Sequence, residues 1–209
     1  VLALGLAVLG RWSSDARVPA VAIGNLLGGF AMLALCWRLT HDTGATLAPG
    51  WRAWARVAAL LVALQVALGG LVSASFSATS CSGFSDCIDA ARGLPWTALD
   101  PWREPVLAGA PPINASGALA QAMHRVLGVL LLFATAPLAL AALRSARPLA
   151  TAVLLTALTL VVGLGLVMAG SGPALGVALA HNLGAALLLA TLVELSRSPR
   201  PTPHPSAPS

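Results

Sequence analysis

From residue 148 to residue 193 the chain carries no charged side chain over 46 consecutive positions. About 20 apolar residues in a helix cross the hydrocarbon core of a bilayer, so this stretch is too long for one crossing and suits two. The sequence Gly170-Ser171-Gly172-Pro173 has the composition of a turn and predicts the break between them. The whole chain is 57% hydrophobic and 9% charged, far less charged than a soluble domain.

Shorter apolar runs occupy the rest of the chain. Residues 18–37, 57–74 and 118–143 are each long enough for one span, and residues 1–9 make up about half of a span. The sequence therefore predicts an all-α polytopic membrane protein with five full spans and one partial span. Because the first run is short, we interpret Val1 as lying inside a helix of a longer protein.

Two pairs of segments indicate an internal repeat. Residues 5–10 and 23–29 share their helix–turn–helix order and an Asn-Leu pair with residues 165–170 and 180–186. In this alignment Gly24 stands where the second unit has His181.

The repeat predicts a four-helix transmembrane bundle preceded by the last helices of a second, similar bundle. The predicted parts are the end of the N-terminal bundle (1–37), a cytoplasmic loop (38–56), the C-terminal four-helix bundle (57–195) and a disordered cytoplasmic tail (196–209).

Arginine placement predicts the orientation in the membrane. Seven arginines and two acidic residues lie on the side of segment 38–56 and the C-terminus, whereas the other side has four arginines and five acidic residues. By the positive-inside rule the first side is cytoplasmic and the long loop 75–116 is outside. The composition suits a bacterial inner membrane. Because the arginines lie singly at the ends of apolar runs, they do not indicate nucleic-acid binding.

Two histidines lie deep in apolar runs and are the strongest functional candidates. Ionisable groups inside a membrane are costly and mark functional sites. At about 1.5 Å of rise per residue, His124 lies about 9 Å and His181 about 10 Å from the outer ends of two parallel helices. Two imidazoles at one depth suit a planar cofactor ligated from both sides, and neutral imidazole is a good iron ligand.

The residues around the histidines fit such a cofactor. Gly128 and Gly184 lie one turn after the two histidines and leave their helix faces clear. Arg125 could form a bidentate pair with a carboxylate, such as a haem propionate. Two alternatives remain: each histidine could simply hydrogen-bond across helices, and zinc is disfavoured because two ligands do not complete a tetrahedral site.

Cys81 and Cys87 are separated by five residues in the long outer loop. An oxidising space favours a disulfide between them, while metal binding is the weaker alternative because the spacing is not that of a zinc site. A membrane thiol oxidant built on this pair is a third functional hypothesis, and it predicts activity without the two histidines.

Several of these features together resemble the haem A synthase family. They are the sequence Gln65-Val-Ala-Leu-Gly-Gly-Leu-Val-Ser73, the outer cysteine pair, His124-Arg125 and the late His181. The resemblance extends from Val1 to about Leu195 and is to the C-terminal half of a family built from two similar four-helix bundles. It implies a disulfide between the cysteines, and a haem b whose axial iron ligands are His124 and His181.

The resemblance also implies a reaction. The family oxidises a methyl group of haem O to the formyl group of haem A for terminal oxidases, so haem O is the implied substrate. Haem O synthase and oxidase subunits are the implied partners beside the lipid bilayer. The family's substrate-binding first bundle is only partly present in this sequence, and Gly24 replaces an expected histidine. The alternative is therefore a non-catalytic haem-b-binding protein for electron transfer or oxidase assembly.

Overall fold

The computed structural model describes residues 1–13, 18–40, 47–109, 113–144 and 148–198. Within these ranges the chain is all α, with one isolated β-bridge between Ala108 and Ile113 and no strand. The membrane-length helices are α2 (Pro19–Thr40), α3 (Pro49–Ala74), α5 (Ala118–Arg144), α6 (Pro148–Ser171) and α7 (Leu175–Leu195). Two shorter helices are α1 (Leu2–Ser13) and α4 (Phe84–Ala91).

The predicted spans and the all-α polytopic fold are confirmed. The break in the long uncharged stretch also falls where its composition predicts, because α6 ends at Ser171 and α7 begins at Leu175. Gly172 has φ +86°, a conformation that glycine adopts readily, and its N–H donates to the carbonyl of Met168 at 3.0 Å. This bond closes the end of α6 and reverses the chain.

The expected loop at residues 38–56 is largely helical instead. Helix α2 continues to Thr40, and α3 begins at Pro49, so the intervening segment is much shorter than expected. Proline at the first position of a helix costs nothing, since its missing N–H would be unpaired there anyway. A helix can continue beyond the hydrocarbon, so the polar and aromatic residues in the first turns of α3 do not mark where that helix begins. Residues 41–46, including His41 and Asp42, and tail residues 199–209 lie outside the described residues.

Four helices form a closed bundle. Helix α3 packs against α5 and α7, and α6 also packs against α5 and α7, so α5 and α7 occupy opposite corners. Helices α1 and α2 pack on each other, and α2 lies against α3 and α7 outside this bundle. Leucines and valines are exposed along the outer surfaces of the helices, as lipid-facing positions would be.

The segment between α3 and α5 covers one end of the bundle, which we call the disulfide end. Helix α3 closes with a Schellman turn in which the N–H of Ser77 donates to the carbonyl of Val72 at 2.9 Å. Phe76 takes the left-handed position in that turn, with φ 56°. The buried Asn114 then donates to the carbonyl of Ser75 at 3.0 Å and joins the start of α5 to the end of α3.

Candidate functional site

His124 and His181 lie at matching positions on opposite corners of the bundle. Each is the seventh residue of its helix, α5 and α7 respectively, counted from the disulfide end. At about 1.5 Å of rise per residue, both therefore lie about 9 Å along their helices. The equal depth expected from the sequence is thus reproduced by the helix boundaries.

Both imidazoles have a polar atom without a partner. The Nδ1 atoms of His124 and His181 are buried and make no hydrogen bond. Buried polar atoms are almost always paired, so two unpaired nitrogens of the same kind inside one bundle call for an explanation. Each of these nitrogens lies beside a glycine of a neighbouring helix, Gly69 for His124 and Gly165 for His181.

The glycines closest to the imidazoles come from the neighbouring helices. A Cβ atom on Gly69 of α3 would lie 3.0 Å from Cε1 of His124, and one on Gly165 of α6 would lie 3.4 Å from Cε1 of His181. Gly69 and Gly165 therefore occupy corresponding places beside the two rings. The contact is tight only at Gly69, because 3.4 Å is an ordinary van der Waals distance.

The glycines predicted from the sequence have other neighbours. A Cβ on Gly184 would lie 3.1 Å from Cγ2 of Val161, so this glycine allows close packing of α6 on α7. A Cβ on Gly128 would lie 3.2 Å from Nε2 of Gln65. These roles could not be predicted from the sequence, because they depend on which helices become neighbours.

Gln65 is the polar side chain that contacts His124. Its Nε2 donates to the backbone carbonyl of His124 at 2.9 Å and lies 3.4 Å from the ring Nε2 of the same residue. The Oε1 atom of Gln65 is buried without a partner. The signal for this residue was present in the sequence, since Gln65 is the one strongly polar residue in an apolar run.

Arg125 connects the histidine helix to the disulfide end. Its Nη1 donates to the backbone carbonyls of Ser82 at 3.0 Å and Gly83 at 2.8 Å. The side chain is half-buried and lines a cavity of about 440 Å³, together with Cys81, Asp86 and the last turn of α6. The guanidinium of Arg125, the residue next to His124 in the sequence, therefore borders this cavity at the disulfide end of the bundle.

The cysteines form the predicted disulfide, Cys81–Cys87. Cys87 is buried on α4, whereas the side chain of Cys81 borders the cavity. No group of three or more potential metal ligands occurs among the described residues. The disulfide therefore closes a short loop beside Arg125.

Asp86 fixes the conformation of the same loop. The backbone N–H and the hydroxyl of Ser82 donate to Oδ2 of Asp86 at 2.7 and 3.0 Å. The hydrogen bond from the backbone N–H lowers the pKa of the Asp86 carboxyl most, and the bond from the hydroxyl lowers it next. The nearby positive charge of Arg125 acts in the same direction. Asp86 is thus ionised whenever the loop is folded near neutral pH.

Helix α1 packs against Gly24, the position that aligns with His181 in the predicted repeat. A Cβ on Gly24 would lie 2.8 Å from Cδ2 of Leu9, and one on Gly28 would meet Cδ2 of Leu6. The side chains of α1 therefore rest on a glycine face of α2. A larger residue at position 24 would displace Leu9.

Together the fold and the paired histidines define a polytopic helical membrane protein with a polar site inside one four-helix bundle. A family model described as cytochrome oxidase assembly protein, COX15-CtaA, matches residues 2–193. The chain belongs to this family, the haem A synthase family, whose role lies in haem A synthesis and cytochrome oxidase assembly. No curated protein and no solved structure matches the chain.

Proposed function

We propose that this chain is a haem A synthase-type oxidoreductase of the membrane, with a haem b held between His124 and His181. The observation that carries the proposal is the pair of imidazoles at equal helix depth on opposite corners of one bundle. A neutral imidazole has one lone-pair nitrogen for iron and one N–H, so two facing histidines suit the two axial positions of a haem.

The protein residues around the pair fit such a group. Glycines of the neighbouring helices lie beside both rings, and at Gly69 a larger side chain would crowd the imidazole of His124. Arg125 presents a cation at the disulfide end, where a propionate carboxylate would be neutralised. When bound, the haem would supply redox chemistry; the chain's own contribution is to hold both ligands, keep water from the bundle interior and balance the charge of the carboxylates.

The proposed reaction is the one its family implies, oxidation of a haem O methyl group to the formyl group of haem A for terminal oxidases. The partly apolar bundle suits a substrate that enters from lipid. We also propose that the long loop faces outward and the C-terminus inward across a bacterial inner membrane, because the arginines concentrate at the opposite end from the disulfide. Haem O synthase and oxidase subunits are the proposed partners.

The domain division is part of the same proposal. Helices α1 and α2 would be the end of an N-terminal bundle, and residues 57–195 would form the C-terminal haem-binding bundle. Contacts support the division, since α3, α5, α6 and α7 close on themselves and α1–α2 pack outside them.

One observation favours a second candidate function. The position that aligns with His181 in the first unit is Gly24, and Leu9 of the adjacent helix packs against it. A protein without that ligand could bind haem b for electron transfer or oxidase assembly and perform no oxidation.

Haem extraction separates the two functions. The chain is expressed in cells that make haem O and have no other haem A synthase, and extracted haems are separated by chromatography and mass. Haem A in these cells, and its loss in the His124→Ala variant, is the expected result. Haem b bound to purified protein without any haem A in the cells would overturn the enzymatic proposal and leave the binding function.

A further inference from the structure

Gln65 is the only side chain, in the described part of the chain, that makes a polar contact with either imidazole. It extends from α3 to α5, where its amide reaches both the backbone and the ring of His124. His181 has no such side-chain contact among the described residues, and its sequence neighbour Asn182 is exposed. The two histidines are therefore unequally supported.

The contact with the carbonyl fixes which end of the amide faces His124. A backbone carbonyl only accepts hydrogen bonds, so the group 2.9 Å from it is the NH₂ of Gln65. The same NH₂ lies 3.4 Å from Nε2 of the ring, at the long limit of a hydrogen bond. Two N–H groups pointed at each other would repel, so this contact favours the tautomer with the lone pair on Nε2 and the hydrogen on Nδ1.

We propose that Gln65 is a positioning residue for His124, which fixes the plane of its imidazole and keeps the Nε2 lone pair available for a metal. The inference rests on the proposed function, because a haem iron is the group that would take this lone pair. Iron would replace the weak 3.4 Å contact, while the 2.9 Å bond to the backbone carbonyl is retained. Groups that orient a ligating histidine commonly change metal affinity about 10- to 100-fold.

Two glycines leave room for the Gln65 amide and the His124 ring where they meet. The amide of Gln65 lies over Gly128, where a Cβ would come within 3.2 Å of Nε2, and the ring lies against Gly69. Residues 65 and 69 are one turn apart on α3, so a single helix face holds the imidazole at two points. Replacing Gly128 by alanine would push the amide away from His124 without removing any polar group.

The test uses the full chain purified in detergent with its haem. Carbon monoxide binds reduced haem only after an axial ligand leaves, so its rate of binding reports how firmly the histidines are held. We expect Gln65→Leu to bind carbon monoxide about 10- to 100-fold faster than wild type, with changed g-values in the low-spin electron paramagnetic resonance spectrum. Asn182→Leu, which removes an amide beside the other histidine, is the matched control and should match wild type.

Gly128→Ala provides a second measurement in case Gln65→Leu does not fold. It should change carbon monoxide binding in the same direction but by less. Equal rates and equal spectra in wild type, Gln65→Leu and Gly128→Ala, with low-spin haem present in all three, would overturn the inference and leave the proposed function intact. A folded wild-type protein without haem would instead overturn the proposed function itself.

Discussion

Replacing Gly69 by alanine should disturb His124 much more than the same change at Gly165 disturbs His181. The new Cβ at position 69 would lie 3.0 Å from Cε1 of His124, and that at position 165 would lie 3.4 Å from Cε1 of His181. Carbon atoms pack at about 3.5–4.0 Å. The His124 ring must therefore move by about 0.5 Å, whereas the His181 ring needs to move by only about 0.1 Å.

The expected magnitude follows from comparing the two variants. Both gain the same helix propensity, about 1 kcal/mol for glycine to alanine, so this contribution cancels. Overpacking typically costs about 1–3 kcal/mol, and only Gly69→Ala incurs it in full. The free energy of unfolding of Gly69→Ala should therefore be lower than that of Gly165→Ala by about 1–3 kcal/mol. For a chain of this length that corresponds to about 2–4 °C in Tm per kcal/mol.

Thermal unfolding in detergent, followed by circular dichroism of the helices, measures this difference. Gly70→Ala is the control for α3 itself, because its Cβ would contact Ile23 and Leu26 of α2, not the imidazole. Only Gly69→Ala should also alter the low-spin haem spectrum. Equal melting temperatures for the Gly69 and Gly165 variants, or equal spectral changes for the Gly69 and Gly70 variants, would refute the proposed packing of the ring.

Three further predictions concern the disulfide end. Arg125→Leu removes two charge-assisted bonds to loop carbonyls, each worth about 1.5–3 kcal/mol, so limited proteolysis should cut the loop faster than in wild type. Asp86 has a lowered pKa in the folded loop, so its contribution to stability is present above its unfolded pKa and is lost as the pH falls through the folded value. Asp86→Ala should therefore melt earlier than wild type at pH 7, with the difference vanishing in strong acid; a pH-independent difference would contradict the role of the carboxylate. Reduction of Cys81–Cys87 should lower stability by about 2 kcal/mol, as closure of so short a loop predicts, and a Cys81→Ser protein should melt at the same temperature with and without reductant.

Much of the architecture could be predicted because it depends on local sequence. Span length follows from apolar run length, and the break after Ser171 follows from the glycines and proline around it. The depth of His124 and His181 follows from counting residues along two helices that enter from the same end. The pairing of Cys81 with Cys87 follows from their close spacing in the segment between α3 and α5.

The contacts around the histidines could not be predicted in the same way. Lipid and neighbouring helices are both apolar, so the hydrophobic pattern does not show which face of α3 meets α5. The contact of Gln65 with His124 joins residues 59 positions apart, and the position of Gly69 against that ring depends on the same helix register. The N-terminal turns of α3 were missed for a related reason, because polarity marks where hydrocarbon ends and not where a helix ends.

We propose that His124 and His181 hold one haem between them. The direct measurement is the visible and electron paramagnetic resonance spectrum of the purified protein, for wild type, His124→Ala and His181→Ala. We expect a low-spin haem b spectrum in wild type, and loss of haem or conversion to a high-spin form in each variant. Full low-spin haem in both variants, or no haem in a correctly folded wild-type protein, would contradict the account.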